Sequence, residues 1–267
     1  MIDLMPQKVK TSLIIPTLNR FDDLRACLNS IGKLNQSFDE IIIVEQGDIA
    51  KTKTVIADFN NLTISLYFHS VKSAAQARNI GIEKSSGNLV FFIDDDTDLD
   101  EKNYIDIAIN CFKNNPKMMG LTGKIKSKSI FKKPTFGTKW LRKLYQWFIK
   151  IVNITLLYDG LKMQVLKSGI NTHGVIECQK QCDIEWTQGC NMVFRKEVFD
   201  KFKFNQNFLA WSCAEDVMLS YQIYQYYGKG SLQYLADFSL IHHNSLDMNW
   251  KPIIFGLFLK QLIAISI

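Results

Sequence analysis

Three consecutive carboxylates, Asp94, Asp95 and Asp96, follow five apolar residues, Leu89 to Ile93, in the run LVFFIDDDT. An apolar run without alternation reads as a strand buried on both faces of a parallel sheet. The C-terminal ends of such strands are where open α/β sheets bind ligands. Three adjacent negative charges repel one another, and a cation at the strand end would offset that repulsion. Oxygen donors suit Mg²⁺ or Mn²⁺, commonly shared with a phosphate. A polar loop capping the next helix is the plainer reading of the same three residues. A second acidic pair, Glu215-Asp216, opens a segment with Val217, Leu219, Ile223 and Tyr224 at helical spacing. Acids there either face the end of the sheet or serve only the helix dipole.

These acids are positioned by a chain of alternating elements. Thr11–Ile15 reads as a strand stopped by Pro16, and Arg20–Ile31 as a helix with Asp22 and Asp23 in its first turn. Glu40–Val44 is a second buried strand, Thr52–Phe59 a short helix, and Thr63–Phe68 a third strand. Ser73–Ser85 follows as a helix with Gly87 as its stop. Strands separated by helices imply βαβ units and a mostly parallel sheet. The first turn, PTLNRF, has no glycine, which argues against dinucleotide-binding and glycine-rich nucleotidyltransferase turns. GLTGKI imitates a P-loop, but Met118 stands where its first glycine belongs and Ile125 where its Ser or Thr belongs.

Composition narrows the partners. With 267 residues, 47% of them apolar, the chain can bury a substantial core and is not generally disordered. Its net charge of +6 is local: Ile107 to Tyr158 holds eleven Lys or Arg and no acid, leaving 21 basic and 26 acidic residues elsewhere. That block argues for one anionic partner surface. Six scattered cysteines and an N-terminus without an apolar signal core suggest a reducing, cytoplasmic setting without a disulfide framework. His173, Cys178, Cys182 and Cys190 lack the paired knuckles of a structural zinc site.

SLIIPTLNR, VEQG, ARNIGIEKSSGNLVFFIDDDT, GCNMVFRKEVF and AEDVMLS occur in this order over most of residues 11–125 and 187–245. Together they resemble the family 2 glycosyltransferases, and the resemblance implies a GT-A type α/β fold with a Rossmann-like, mostly parallel central sheet. It also implies one glycosyltransferase domain over 1–267. Residues 1–96 would form its nucleotide-binding half and 97–250 its acceptor half; a basic helical segment at 130–167 and an apolar C-terminal helix at 251–267 are read from the residues themselves, outside the resemblance.

By that resemblance Pro16, Thr17, Asn19 and Glu45 would line the base and ribose pocket, and Arg78 would contact nucleotide or phosphate. Glu45 stands where many members carry Asp. Asp94 would bind ribose, directly or through the metal, Asp95 would share that work or point away, and Asp96 would ligate Mn²⁺ or Mg²⁺. His242 would complete the metal shell, with His243 as runner-up. Asp216 would be the base that takes the acceptor's proton, with Glu215 orienting acceptor or loop. Gly189 would permit close backbone approach. Trp186 and Trp211 are candidate sugar-stacking faces, or simply core.

The implied reaction is inverting, metal-dependent transfer from a nucleoside-diphosphate sugar, UDP by family habit, to a hydroxyl of a glycan or lipid-linked saccharide in cell-surface polysaccharide synthesis. A catalytically inactive nucleotide-sugar-binding or assembly protein of the same fold is the alternative. Within 130–167, Trp140, Leu144, Trp147, Phe148 and Ile151 recur at helical spacing among lysines. This pattern suits a helix on an anionic membrane surface at its cytosolic face, or one packed on the domain. It carries no nucleic-acid-binding module. Pro252–Ile267 is too short and interrupted to span a bilayer comfortably.

Overall fold

Branched and aromatic runs become the central strands. The computed structural model describes residues 8–127, 163–165, 171, 180–209 and 214–243. Thr11–Thr17 (β1), Glu40–Glu45 (β2), Ile64–Phe68 (β3) and Leu89–Ile93 (β4) lie parallel in the order β3-β2-β1-β4. Phe21–Ile31 (α1), Ile49–Ile56 (α2) and Ala74–Lys84 (α3) connect them. Every residue of β1 and β4 is buried, as befits strands covered on both faces.

Two expected boundaries are corrected. Pro16 does not stop β1: it pairs with Val44, and Thr17 pairs with Glu45. The ladder to β4 ends at Ile14 and Phe92, so a missing N–H two residues further on interrupts little. Gly87 does not stop α3 either, because the helix ends at Lys84 with an extended Ser85 as its cap. Gly87 is required by close approach instead. Its N–H donates to Ser12 Oγ at 2.8 Å, and a Cβ would lie 2.7 Å from the Ser12 backbone nitrogen.

The second half adds Thr97–Asp98 (β5), Tyr104–Asn114 (α4), Gly120–Ser127 (β6), Gln181–Asp183 (β7), Asn191–Arg195 (β8), Glu215–Tyr227 (α5) and Leu232–His242 (β9). β8 enters antiparallel between β4 and β6, and β9 lies parallel to β6. The sheet therefore reads β3-β2-β1-β4-β8-β6-β9-β5, with β7 on β9. β9 is eleven residues long and ends at His242.

Alternate strand residues feed a core on each face. Leu13, Ile43 and Phe91 pack on one, with Tyr104 stacked on Phe238 at 4.2 Å. Ile14, Ile42 and Phe92 pack on the other, where Phe194, Phe199 and Phe204 surround Phe92 edge-on. Each fully buried large side chain contributes roughly 1.5–3 kcal/mol, so the strand ends that carry the acids rest on a stiff base.

Trp186 belongs to this second core at 2% exposure, so it offers no stacking face to a sugar. Cys182 is disulfide-bonded, against the expectation of a chain without a disulfide framework, while Cys27, Cys111 and Cys190 are free. The basic segment at 130–167, apart from 163–165, lies outside the described residues, as do Trp211, His173, Cys178 and the apolar stretch at 251–267. Among the described residues no helix is long and apolar enough to cross a membrane.

Candidate active site

The end of β4 delivers Asp94, Asp95 and Asp96 to three different sets of partners. Asp95 is buried, accepting from Thr17 Oγ1 at 2.7 Å and from Arg20 Nη1 at 2.7 Å. Burial pushes its carboxyl up to about 7 against the pull of Arg20 and Thr17. Asp96 takes Arg20 Nη2 at 2.9 Å, and its Oδ1 lies 3.0 Å from His242 Nε2. Burial opposes its ionisation too, but His242 and Arg20 together hold Asp96 well below the usual carboxylate range. Asp94, the most open of the three, receives Arg78 Nη2 at 3.0 Å.

Arg20 is the residue the motif reading passed over. It sits at the end of the quoted SLIIPTLNR and links Asp95 to Asp96 with its two terminal nitrogens. Its signal was available as a cation three residues beyond a strand neighbouring the acidic one.

Around the β1–α1 turn the expected pocket residues are largely engaged with one another. Glu45 is fully buried. Its Oε1 accepts from the backbone N–H of Asn19 at 3.2 Å and of Gly47 at 2.6 Å, and its Oε2 accepts from Thr52 Oγ1 at 2.6 Å. Asn19 holds a left-handed φ of 56° and accepts from Asp48 N through its Oδ1 at 2.7 Å. Glu45 and Asn19 thus fix the loop's shape, and the Glu45 carboxylate is taken up within the fold.

The other acids come from the start of α5. Glu215 Oε1 meets Arg78 Nη1 at 2.7 Å, so one buried guanidinium joins Asp94 to Glu215. Burial works against the charge on Arg78, yet Asp94, Glu215 and Asp216 hold its pKa above the usual value. Asp216 accepts from Gly189 N at 2.6 Å through Oδ2 and from Val217 N at 2.8 Å through Oδ1. Burial raises both Asp216 and Glu215, and Arg78 only partly opposes it. Gly189 has to be small here, because a Cβ would lie 3.0 Å from Asp216 Oδ2 and 3.4 Å from Arg78 Nη2. Ala214, just before the helix, is held at φ 80°.

The two histidines at the end of β9 separate cleanly. His242 turns to Asp96, whereas His243 Nε2 pairs with Asp98 at 2.7 Å and its N–H caps the Asp96 carbonyl. Burial lowers the basicity of His242, but Asp96 more than compensates and raises it. His242 also stands in a group with Asp94 and Cys190 whose donor atoms all lie within 4.8 Å of one another. Carboxylate, imidazole and thiol donors at that spacing suit a first-row divalent cation.

Comparison with known proteins adds an independent line. The Glycosyl transferase family 2 model matches residues 12–202. The poly(ribitol-phosphate) beta-N-acetylglucosaminyltransferase TarP of Staphylococcus aureus is 31% identical over 140 residues, 46% of this chain and 41% of that protein. AglE, a glycosyltransferase of Haloferax volcanii, is 35% identical over 91 residues, 32% of this chain and 30% of its own. The matched segments span between 14 and 41% of the curated relatives' lengths.

Among solved structures, S. aureus TarS in complex with UDP-GlcNAc superposes with a TM-score of 0.64 at 15% identity, covering 96% of this chain and 66% of that one. The mannosyltransferase PcManGT of Pyrobaculum calidifontis, in complex with GDP-Man and Mn²⁺, gives 0.60 at 15% identity over 92% and 60%.

Proposed function

The chain belongs to glycosyl transferase family 2 and has the GT-A type of fold, and on that premise we propose that it transfers a sugar with inversion from a nucleoside-diphosphate sugar to an acceptor hydroxyl. The observation that carries this reading is the guanidinium of Arg78, which joins the carboxylate at the end of β4 to the acidic pair opening α5. Donor-binding and proton-accepting groups are thereby set in one rigid network.

The acceptor hydroxyl attacks the anomeric carbon as its bond to the diphosphate breaks, and Asp216 takes the hydroxyl proton. Gly189 N–H and Val217 N–H hold both oxygens of Asp216 in place. Burial makes that carboxylate more basic than an exposed Asp, which suits it to proton abstraction. Glu215 acts through Arg78, keeping the cation where it meets the donor diphosphate, and Asp94 lines the ribose side, while the buried Asp95 holds Thr17 and Arg20 in place. Thr17, Asn19, Pro16 and Glu45 shape the loop against which the base lies. Asp96 and His242, 3.0 Å apart, with Asp94 beside His242, would hold a divalent ion, Mn²⁺ or Mg²⁺. When bound, the ion neutralises charge developing on the leaving diphosphate.

UDP is the favoured nucleotide, since TarP and TarS are named as N-acetylglucosaminyltransferases and TarS is solved with UDP-GlcNAc. The acceptor is a glycan or lipid-linked saccharide. The acid-free block at 107–158 supports work beside an anionic membrane surface at its cytosolic face.

A thermal-shift series with UDP, GDP, UDP-sugars and GDP-mannose, with and without Mn²⁺, tests the donor half. UDP-sugars should raise Tm most, and only with the metal. Mass detection of metal-dependent UDP release, with or without added acceptor saccharides, tests turnover. Donor binding without release under any condition would favour the inactive-binder alternative.

A further inference from the structure

The free cysteines among the described residues sit in unlike surroundings. Cys27 is fully buried, with its sulfur 4.0 Å from the Asp94 carbonyl and Thr97 Oγ1, and Cys111 packs on Met118. Cys190 is different: its sulfur shares a space with an Asp94 oxygen and a His242 nitrogen, each donor within 4.8 Å of the other two. These three residues come from separate elements, namely the end of β4, the turn leading into β8 and the end of β9. Convergence of three donors from three strands at one point is therefore a property of the fold and not of one local turn. The β8 turn is fixed from both sides, by the Gln188–Asn191 bridge and by the Gly189 N–H bond to Asp216. The backbone that carries Cys190 is thus held in position.

We propose that Cys190 is a ligand of the divalent cation at this site, giving a mixed oxygen, nitrogen and sulfur donor set that favours thiophilic ions over Mg²⁺. The proposal rests on the family 2 reading for the cation's role and on the geometry alone for the thiol. The metal–sulfur bond forms as the thiol gives its proton to solvent, so binding a thiophilic ion releases one proton from Cys190. Sulfur ligands select Co²⁺, Zn²⁺ or Cd²⁺, while Mg²⁺ prefers oxygen alone. The consequence is an enzyme whose donor site senses which divalent ion is present. Mg²⁺ would leave the thiol protonated, and a thiophilic ion would be held by one more ligand.

The test uses the full chain and Co²⁺ as probe. Titrating the wild type should produce a near-ultraviolet thiolate-to-cobalt charge-transfer band, and Cys190→Ser should lose that band while retaining its circular dichroism and melting profile. The ratio of Cd²⁺ to Mg²⁺ affinity, measured by calorimetry, should fall roughly tenfold or more in the variant.

A readout that needs no variant is peptide mapping of iodoacetamide labelling. Zn²⁺ should protect Cys190 in the wild type. No charge-transfer band in cobalt-loaded wild type, or Cys190 labelled equally with and without Zn²⁺, overturns the proposal. A Mn²⁺-dependent thermal shift with UDP, measured on the same wild-type sample, separates the two readings. If that shift persists while the sulfur signatures are absent, only the thiol assignment falls. If the sulfur signatures appear while UDP gives no shift, only the donor assignment falls.

Discussion

Asp96 and the acidic pair opening α5 lie at the same end of the sheet, and they are treated in opposite ways. At the end of β4, Arg20, Arg78 and His242 together face three carboxylates; Asp96 is held strongly ionised, while deeper burial raises its neighbour Asp95 to about 7. At the start of α5, Glu215 and Asp216 share one guanidinium, and burial leaves both more basic than usual. The difference is one of cation supply. A carboxylate surrounded by positive charge is a good anchor and a poor base, whereas one with limited compensation is suited to take a proton. Arg78 belongs to both groups, so the balance between them rests on a single side chain.

Asp96→Ala should break the anchoring side with the largest effect. Transfer should fall below detection and the metal-dependent part of the UDP thermal shift should vanish, as read by turnover and melting assays run in parallel. Asp216→Asn should break the other side and leave the first intact. It keeps the shape but cannot accept a proton, so transfer should drop about a hundredfold or more with the metal-dependent UDP shift retained. Equal loss of the shift in both variants would mean that the two groups are not functionally distinct.

Gly189→Ala should act between these extremes. Its new methyl would press on Asp216 Oδ2 at 3.0 Å and on Arg78 at 3.4 Å. Because small misplacements of a catalytic group can cost up to about a hundredfold, roughly tenfold in kcat is expected, with UDP affinity little changed. Steady-state kinetics at saturating donor checks it.

The smallest effect is a shift in pH dependence. As the proposed base Asp216 must be ionised to act, and its raised pKa means that activity should be present above the folded-state value and lost as pH falls through it. The acid limb of the kcat profile should therefore lie above the ordinary Asp value of about 3.9. Arg78→Met should move it further up, because Arg78 opposes the rise. A limb that stays put in that variant would show that Arg78 does not set the basicity of Asp216.

The parallel half was the readable half. Buried strands of pure apolar pattern, interleaved with amphipathic helices, leave few alternatives, and the structure reproduces the expected β1–α1–β2–α2–β3–α3–β4 order. Pro16 and Gly87 look like local punctuation in the sequence, but the ladder to β2 and the contact with Ser12 decide their roles. In the other half, β8 and β9 are defined by partners far away in sequence, so the length of β9 did not show in its residues. The same reason hid Arg20 and Cys190. Their significance lies in what faces them, Asp95 and Asp96 for one, Asp94 and His242 for the other. Asp94, Asp95, Asp96, Arg78, Glu215, Asp216, Gly189 and His242 do converge, whereas Glu45 is consumed by the loop it supports and Trp186 by the core.

Ala214 carries one further consequence. An alanine at φ 80° holds a backbone shape that glycine adopts without penalty, at a cost of order 1–3 kcal/mol. Ala214→Gly would relax that strain while loosening the lead into Glu215 and Asp216, the residues whose direction matters most. Thermostability and turnover therefore compete at this one position. A screen that rewards only heat resistance would be drawn to glycine there, and a screen that rewards product would keep the strained alanine.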